Sequence, residues 1–165
     1  MNPQPTALPT PAPLRFSPTG IALLKRFEGF RSRTYRDIAG LRTIGYGHRL
    51  LPGESFPGGV TESEAAELLA RDIGTAERAV RTLIRSMLSQ GRFDALVDFV
   101  FNLGAGKLAS STLLKDVNSG NFAAAGEQLL RWDHSGVQES AGLKTRRAAE
   151  FELWNAGSEP TERAA

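Results

Sequence analysis

Three side chains that could do chemistry together lie near the N-terminus of the 165-residue chain: Glu28, Asp37 and Thr43. Apolar neighbours and the end of a predicted helix favour the protonated form of Glu28, whereas nearby arginines favour its anion, so burial decides the balance. Asp37 lies in a polar stretch and is expected to stay ionised, with the Thr43 hydroxyl placed to hold a water beside it. Hydrolysis of a glycosidic bond needs such a pair, one acid and one carboxylate. The spacing alone does not separate this pair from ordinary surface acids.

The composition excludes several other kinds of site. The chain has no cysteine and two histidines, so disulfides, thiolate zinc sites and cysteine nucleophiles are excluded, and a histidine-rich metal centre is not expected. Its 41% hydrophobic and 23% charged residues are typical of a folded globular protein. We find no apolar run of the roughly 20 residues that span a bilayer and no secretory signal, so we expect the protein to start in the cytoplasm without stable membrane insertion.

Basic residues are concentrated in the first third of the chain. The net charge is +2, yet residues 15–49 contain eight basic side chains and two acids. This excess is consistent with an anionic partner, either nucleic acid or an acidic polymer such as a bacterial wall, and equally with a solvated surface. The segment lacks the interleaved aromatic residues of a single-strand binder, which argues against nucleic acid.

The elements that must position these residues are mostly helical, with one small β-element near the N-terminus, and this combination predicts an α+β fold. Five prolines predict that residues 1–16 form a flexible, extended arm. At the other end of the chain, residues 157–165 are predicted to form a flexible tail. Between them, Ser17-Pro18 and Gly29 bound a first helix. Residues 33–47 alternate strand formers with glycines and predict a small irregular β-hairpin.

Helical spacing continues through the rest of the chain. A capping box, Thr61 to Glu64, opens a long amphipathic helix over about 61–89, which Gly74 interrupts and can bend. A strongly apolar helix at 93–101 follows and is predicted to be the centre of the core. Three more helices are predicted, at 110–118, 122–132 and 143–154.

Several motifs together resemble the phage-type lysozymes of glycoside hydrolase family 24. That family places eight residues between a catalytic glutamate and an aspartate, and five more before a threonine, as Glu28, Asp37 and Thr43 do. The similarity runs from residue 17 to 154 and is carried by LKRFEGF (24–30), YRD (35–37), TIGYGH (43–48), FNLG (101–104), STLL (111–114), NSGNF (118–122), RW (131–132) and GLKTRRAAE (142–150).

The resemblance implies a bilobal lysozyme-like fold and an endolysin. It implies a small lobe at about 17–60 with the hairpin, a linking helix at 61–89 and a larger helical lobe at 90–156. The implied reaction is hydrolysis of the bond between N-acetylmuramic acid and N-acetylglucosamine in peptidoglycan, with no cofactor. Glu28 would be the acid, and Asp37 with Thr43 would activate water.

The family also suggests how the enzyme would reach its substrate. We expect a monomer that stays in the host bacterial cytoplasm until a separate holin-type protein releases it to the periplasm and wall. A lytic transglycosylase that acts on the same bond with a glutamate alone, and a non-catalytic wall-binding module, are the alternatives. Asp37 and Thr43 favour hydrolysis over the first, and the acid pair is unexplained by the second.

Five further residues are candidates for substrate binding, and all but Asn102, which breaks an apolar pattern, have a structural alternative. They are Tyr46 (or a packed aromatic), His48 (or an ion pair), Phe101 (or core), Asn102 and Ser111 (or a helix cap). Arg146 and Arg147 are predicted to bind carbonyls or Glu150 within the helical body.

Overall fold

Helices dominate the computed structural model, which describes residues 12–37, 40–136 and 138–156. The α+β prediction is confirmed. In chain order the elements are α1 (Pro18–Glu28), β1 (Arg31–Arg36), β2 (Arg42–Gly45), β3 (His48–Arg49), α2 (Glu62–Leu83), α3 (Gln90–Leu103), α4 (Ala105–Ala109), α5 (Thr112–Asn118), α6 (Phe122–Leu129), β4 (His134–Ser135), β5 (Gln138–Glu139) and α7 (Ala141–Ala156). The predictions for residues 1–11 and 157–165 fall outside the described residues. Within the described ranges, no helix is both long enough and apolar enough to cross a membrane.

The first helix begins and ends as its sequence predicts. The Ser17 side chain accepts a hydrogen bond from the Gly20 amide, and Pro18 occupies the first turn. At the other end Gly29 adopts φ 65°, and its amide donates a hydrogen bond to the Lys25 carbonyl, which ends the helix. Ser17 also donates through its amide to Asp94 of α3 at 3.0 Å, which ties α1 to the core.

The predicted hairpin forms the first two strands of a three-stranded antiparallel sheet in the order β1-β2-β3. Tyr35 on β1 lies opposite Thr43 on β2, and Ile44 pairs with His48 on β3. The third strand was not predicted because it has only two residues. Its pairing brings residue 48 beside the buried strand β2 and over α2.

The long helix α2 joins the sheet to the other helices. Its capping box is present, and a buried stripe of Leu69, Ile73, Ala76 and Val80 follows. The helix ends at Leu83, not near residue 89, and Gly74 does not interrupt it. In the connection to α3 the Met87 side chain is 90% exposed, so the apolar stripe does not continue to residue 89.

The helical body is built around α3, whose residues 91–100 are all buried. This confirms α3 as the centre of the core, where it packs against α2 and α7. Trp154 of α7 is buried in this core, and Trp132 meets Phe99 edge-on with ring centroids 5.3 Å apart. The short helix α4 and the β4–β5 ladder were missed, because five and two residues are too few to show a periodicity.

The N-terminal arm joins the fold earlier than the sequence suggested. Phe16 is 6% exposed, and its amide donates to Glu77 Oε1 of α2 at 2.6 Å. Arg15 donates to the other oxygen of that carboxylate at 3.0 Å, and Leu14 packs against the core. Residues 14–16 are therefore part of the folded body: Arg15 and Phe16 bind the buried Glu77, and Leu14 packs against the core.

Candidate active site

One cavity, of about 590 Å³, lies between the sheet, α2 and the C-terminal end of α3. Glu28, Asp37 and Thr43 all line it, so the structure brings the three predicted catalytic residues together. The remaining lining residues are Tyr35, Gly47, His48, Arg49, Leu51, Arg71, Asp72, Thr75, Ala76, Ala79, Val100, Phe101, Asn102, Gly104 and Ala105. The cavity therefore lies at the boundary between the sheet and the helical body, which is a suitable place for a cleft that binds an extended substrate.

Glu28 is the last residue of α1 and projects into this cavity with 20% of its side chain exposed. Its Oε1 accepts a hydrogen bond of 2.6 Å from Nη1 of Arg146 on α7. On its other side Gly47 adopts φ +79°, and a Cβ at that position would lie 2.8 Å from Glu28 Oε2. The carboxyl group is thus enclosed by a guanidinium and by a glycine turn.

Asp37 follows β1 and is held by the turn that leads to β2. Its Oδ1 accepts from the Leu41 amide at 2.9 Å, and its Oδ2 lies 3.4 Å from Nε of Arg49. Thr43 is 2% exposed, and its hydroxyl donates to the Leu41 carbonyl at 3.1 Å. The Leu41 backbone therefore orients both side chains, and the lone pairs of the Thr43 oxygen are left to accept.

Arg146 was not identified from the sequence as a site residue. It is 5% exposed and binds Asp98 through two nitrogens, Nε at 2.8 Å and Nη2 at 3.0 Å, besides its bond to Glu28. Burial disfavours its charge, but Asp98 and Glu28 outweigh burial and raise its pKa. The prediction that it binds carbonyls or Glu150 is wrong: its partners are carboxylates of α1 and α3. Sequence spacing does not indicate these contacts, because Glu28 lies 118 positions from Arg146 and Asp98 lies 48 positions from it.

Tyr35 lines the cavity and was also not singled out from the sequence as a site residue. Burial raises the pKa of its phenol, and the neighbouring Glu28 carboxylate raises it further. Its position opposite Thr43 in the sheet places it beside both predicted acids. An alternating pattern in β1 could have pointed it out, had the register with β2 been known.

His48 lines the cavity and is held on both sides. Its Nδ1 lies 2.8 Å from Asp72 Oδ2 of α2, and its Nε2 lies 2.8 Å from Glu54 Oε2. Burial disfavours the imidazolium, but the two carboxylates outweigh it and raise the pKa of His48. Both ring nitrogens are thus engaged by carboxylates, so His48 forms the ion pair that was predicted as the alternative to substrate binding.

The other predicted binding residues divide between the cavity and the core. Phe101 and Asn102 line the cavity. Tyr46 is buried instead, with its ring 5.6 Å from that of Phe30 and Lys25 over its face. Ser111 is buried as well and caps α5, accepting from the Leu114 amide at 3.0 Å. Neither of these two residues reaches the cavity.

The arrangement suits acid–base chemistry on a polar polymer. Two carboxyl groups, one of them largely enclosed, and a hydroxyl group line one cavity, and glycoside hydrolysis uses groups of these types. Among the described residues, no group of three or more histidines and carboxylates could hold a metal ion.

Comparison with known proteins defines the class: fold and sequence are those of a lysozyme, a hydrolase of bacterial peptidoglycan. The profile of the phage lysozyme family matches residues 25–150, and the chain belongs to this family. The endolysin of Salmonella phage P22 is 37% identical over 137 residues, covering 81% of this chain and 94% of that protein.

Two further relatives extend this comparison. The endolysin of Bacillus phage B103 is 40% identical over 147 residues, which are 87% of this chain and 55% of the relative, so the chain spans about half of that protein. The muramidase domain of SpmX from Asticaccaulis excentricus has 33% identity and a TM-score of 0.79, covering 87% of this chain and 99% of that domain.

Proposed function

We propose that this lysozyme cleaves the β-1,4 bond between N-acetylmuramic acid and N-acetylglucosamine, with Glu28 as general acid and Asp37, assisted by Thr43, activating water. The observation that carries the assignment is the meeting of these three residues in one cavity. The muramidase domain among the structural neighbours supports the choice of bond.

The proposed reaction uses one proton on each side of the bond. Glu28 transfers its proton to the glycosidic oxygen as the bond from that oxygen to the anomeric carbon breaks. A water molecule attacks that carbon and gives a proton to Asp37. A proton then returns from Asp37 to Glu28 through solvent, so the enzyme is unchanged. General acid catalysis of this kind contributes about 10²–10⁴-fold.

The hydrogen bonds at Asp37 and Thr43 explain how the water would be oriented. The Thr43 hydroxyl proton is donated to the Leu41 carbonyl, so the Thr43 oxygen can only accept from a water beside it. A water that donates one hydrogen to Thr43 and the other to Asp37 presents a lone pair to the sugar.

The first test is clearing of a bacterial wall suspension by the wild type and by Glu28→Gln. The amide cannot supply the proton, so we expect activity to fall at least about 100-fold with the fold unchanged. Glu67→Gln, an exposed glutamate of α2, is the matched control and should clear walls normally. A Glu28→Gln variant that keeps more than about a tenth of the activity would contradict the role of general acid.

Mass spectrometry of the digested wall separates the alternatives. Hydrolysis leaves reducing N-acetylmuramic acid ends, whereas a lytic transglycosylase leaves anhydro ends. A wall-binding module without activity would leave the polymer intact. Reducing ends at N-acetylglucosamine would assign the other glycosidic bond.

Further proposals follow from the same assignment. We propose a monomer that waits in the host cytoplasm and reaches the periplasm and wall when a holin-type protein opens the membrane. We propose a small lobe within 17–60, a linking helix within 61–89 and a helical lobe at 90–156. The contacts of α1 with α3 and α7 support counting α1 with the helical lobe.

A further inference from the structure

A group of buried charged side chains lies directly behind Glu28, on α3 and α7. Asp98, Arg147 and Glu150 are fully buried, and Arg146 is 5% exposed. Removing charges from water is costly and does not by itself stabilise a fold. Their arrangement behind a predicted catalytic acid therefore calls for a functional reason.

Asp98 controls the orientation of Arg146. Two of the three guanidinium nitrogens, Nε and Nη2, donate to the two oxygens of Asp98 at 2.8 and 3.0 Å. A bidentate pair of this kind fixes the plane of the guanidinium. The third nitrogen, Nη1, is then directed at Glu28 Oε1, 2.6 Å away.

The other two members of the group, Arg147 and Glu150, pair with each other. Burial raises the pKa of Glu150 well above its usual value, and the neighbouring Asp98 carboxylate raises it further. Arg147 donates through Nη2 to Glu150 at 2.6 Å and to Asn102 at 2.9 Å. Asp98 is the member of the group that holds Arg146 directly, through both of its carboxylate oxygens.

We propose that Asp98 is a positioning residue for Glu28, acting through Arg146. It holds Nη1 against the Glu28 carboxyl group, and its negative charge balances that of Arg146, so that the guanidinium orients Glu28 without adding a net positive charge beside it. A lone guanidinium at 2.6 Å would favour the carboxylate and remove the acid form that the reaction needs. This inference rests on the proposed role of Glu28.

Other charged groups also face Glu28 and must be held constant in a test. Tyr35 of β1 interacts electrostatically with Glu28 from the sheet side. The cavity is lined by further ones on the sheet and α2: Asp37, His48, Arg49, Arg71 and Asp72. Since Asp98 does not line the cavity, changing it leaves all of them in place.

The test is the pH dependence of wall hydrolysis by Asp98→Asn, with Asp94→Asn as the matched control. Asp94 lies one turn earlier on α3, is 2% exposed and accepts hydrogen bonds from Ser17 and Gln90, but does not bind Arg146. For Asp98→Asn we expect kcat to fall about 10- to 100-fold at nearly constant KM. We expect the alkaline limb of its pH profile to move about one unit to lower pH. Asp94→Asn should lower thermal stability alone.

Arg146→Lys tests the orientation separately and serves if Asp98→Asn does not fold. Lysine keeps the charge but has no planar fork. We expect a lower kcat with the alkaline limb unmoved. If both variants keep the wild-type kcat and profile, the positioning role is refuted. Glu28→Gln in the same assay separates failure of the positioning role from failure of the proposed function. If Glu28→Gln is inactive, the proposed function stands without the positioning role. If Glu28→Gln is active, the proposed function itself is wrong.

Discussion

His48 Nδ1 lies 2.8 Å from Asp72 Oδ2, so an ion pair joins strand β3 to helix α2 at the wall of the cavity. On its far side His48 also binds Glu54, whose carboxylate in turn accepts from the Leu51 amide at 3.0 Å. The loop after β3 is thereby attached to the helix through one buried imidazole. The stability of this attachment must depend on the charge of His48.

We therefore expect His48→Gln to destabilise the protein mainly at mildly acidic pH. The folded-state pKa of His48 is raised above its ordinary 6.5, so its contribution is complete below pH 6.5 and is lost as the pH rises through the folded-state value. The hydrogen bond from His48 lowers the pKa of Glu54 below 4.5, so that contribution is lost as the pH falls below 4.5. The difference in unfolding free energy should peak between these values, at about 2 kcal/mol.

Urea denaturation from pH 4 to 9 measures this difference. His134, which lies in β4 with half of its side chain exposed, provides the control. His134→Gln should show no comparable peak. A His48→Gln variant that is destabilised equally at pH 5 and pH 9 would mean that packing, and not charge, holds the loop to α2.

The elements that carry the candidate site were predictable because their signals are local. The cap at Ser17, the glycine at residue 29 and the alternating strand formers needed no knowledge of the rest of the chain. The network around Glu28 was not predictable in this way. Arg146 reaches Glu28 across 118 positions, and only the packing of α7 on α3 and α1 brings the two together.

Tyr46, a predicted binding residue, shows the opposite effect, because the local pattern did not reveal that its side chain is buried. The sequence does not specify which side of β2 faces the core. In the structure Tyr46 turns inward to Phe30, while Thr43 reaches the cavity from the same strand region. Asp98 interrupts an apolar helix and yet is fully buried, because its partner comes from α7.

Gly47→Ala should reduce activity by more than its effect on stability explains. A Cβ at residue 47 would lie 2.8 Å from Glu28 Oε2 and would displace the carboxyl group, and φ +79° adds backbone strain of about 1–2 kcal/mol. Gly53→Ala is the matched control, since it has φ +83° and open space around the added carbon. Both variants should lose similar stability in thermal unfolding, and only Gly47→Ala should lose about tenfold or more in kcat. Equal activity of the two variants would show that Glu28 tolerates displacement.

Deletion of residues 1–11 should leave wall hydrolysis and melting temperature unchanged, because the proline-rich segment carries none of the predicted site residues. Phe16→Ala in the intact chain should instead cost about 3–5 kcal/mol, since Phe16 is buried and packs against Gly20 of α1. Thermal unfolding and a wall-clearing assay on the two proteins measure both effects. A deletion that folds but loses most of its activity would place the arm in the site.

Hydrolysis should invert the anomeric configuration, so that the first product of a β-linked strand is the α-anomer. The reason lies at Thr43, whose hydroxyl donates to the Leu41 carbonyl and can only accept from a water held beside Asp37. A covalent route would need Asp37 itself at the anomeric carbon and would have no use for that water. Thr43→Val removes the acceptor at nearly constant volume and should lower kcat with little change in KM, whereas Thr43→Ser should restore it. Proton NMR of a fresh digest, recorded before mutarotation, reads the anomer directly. An initial β-anomer, or a glycosyl ester on Asp37 found by mass spectrometry, would establish retention and leave Thr43 a structural residue of the turn.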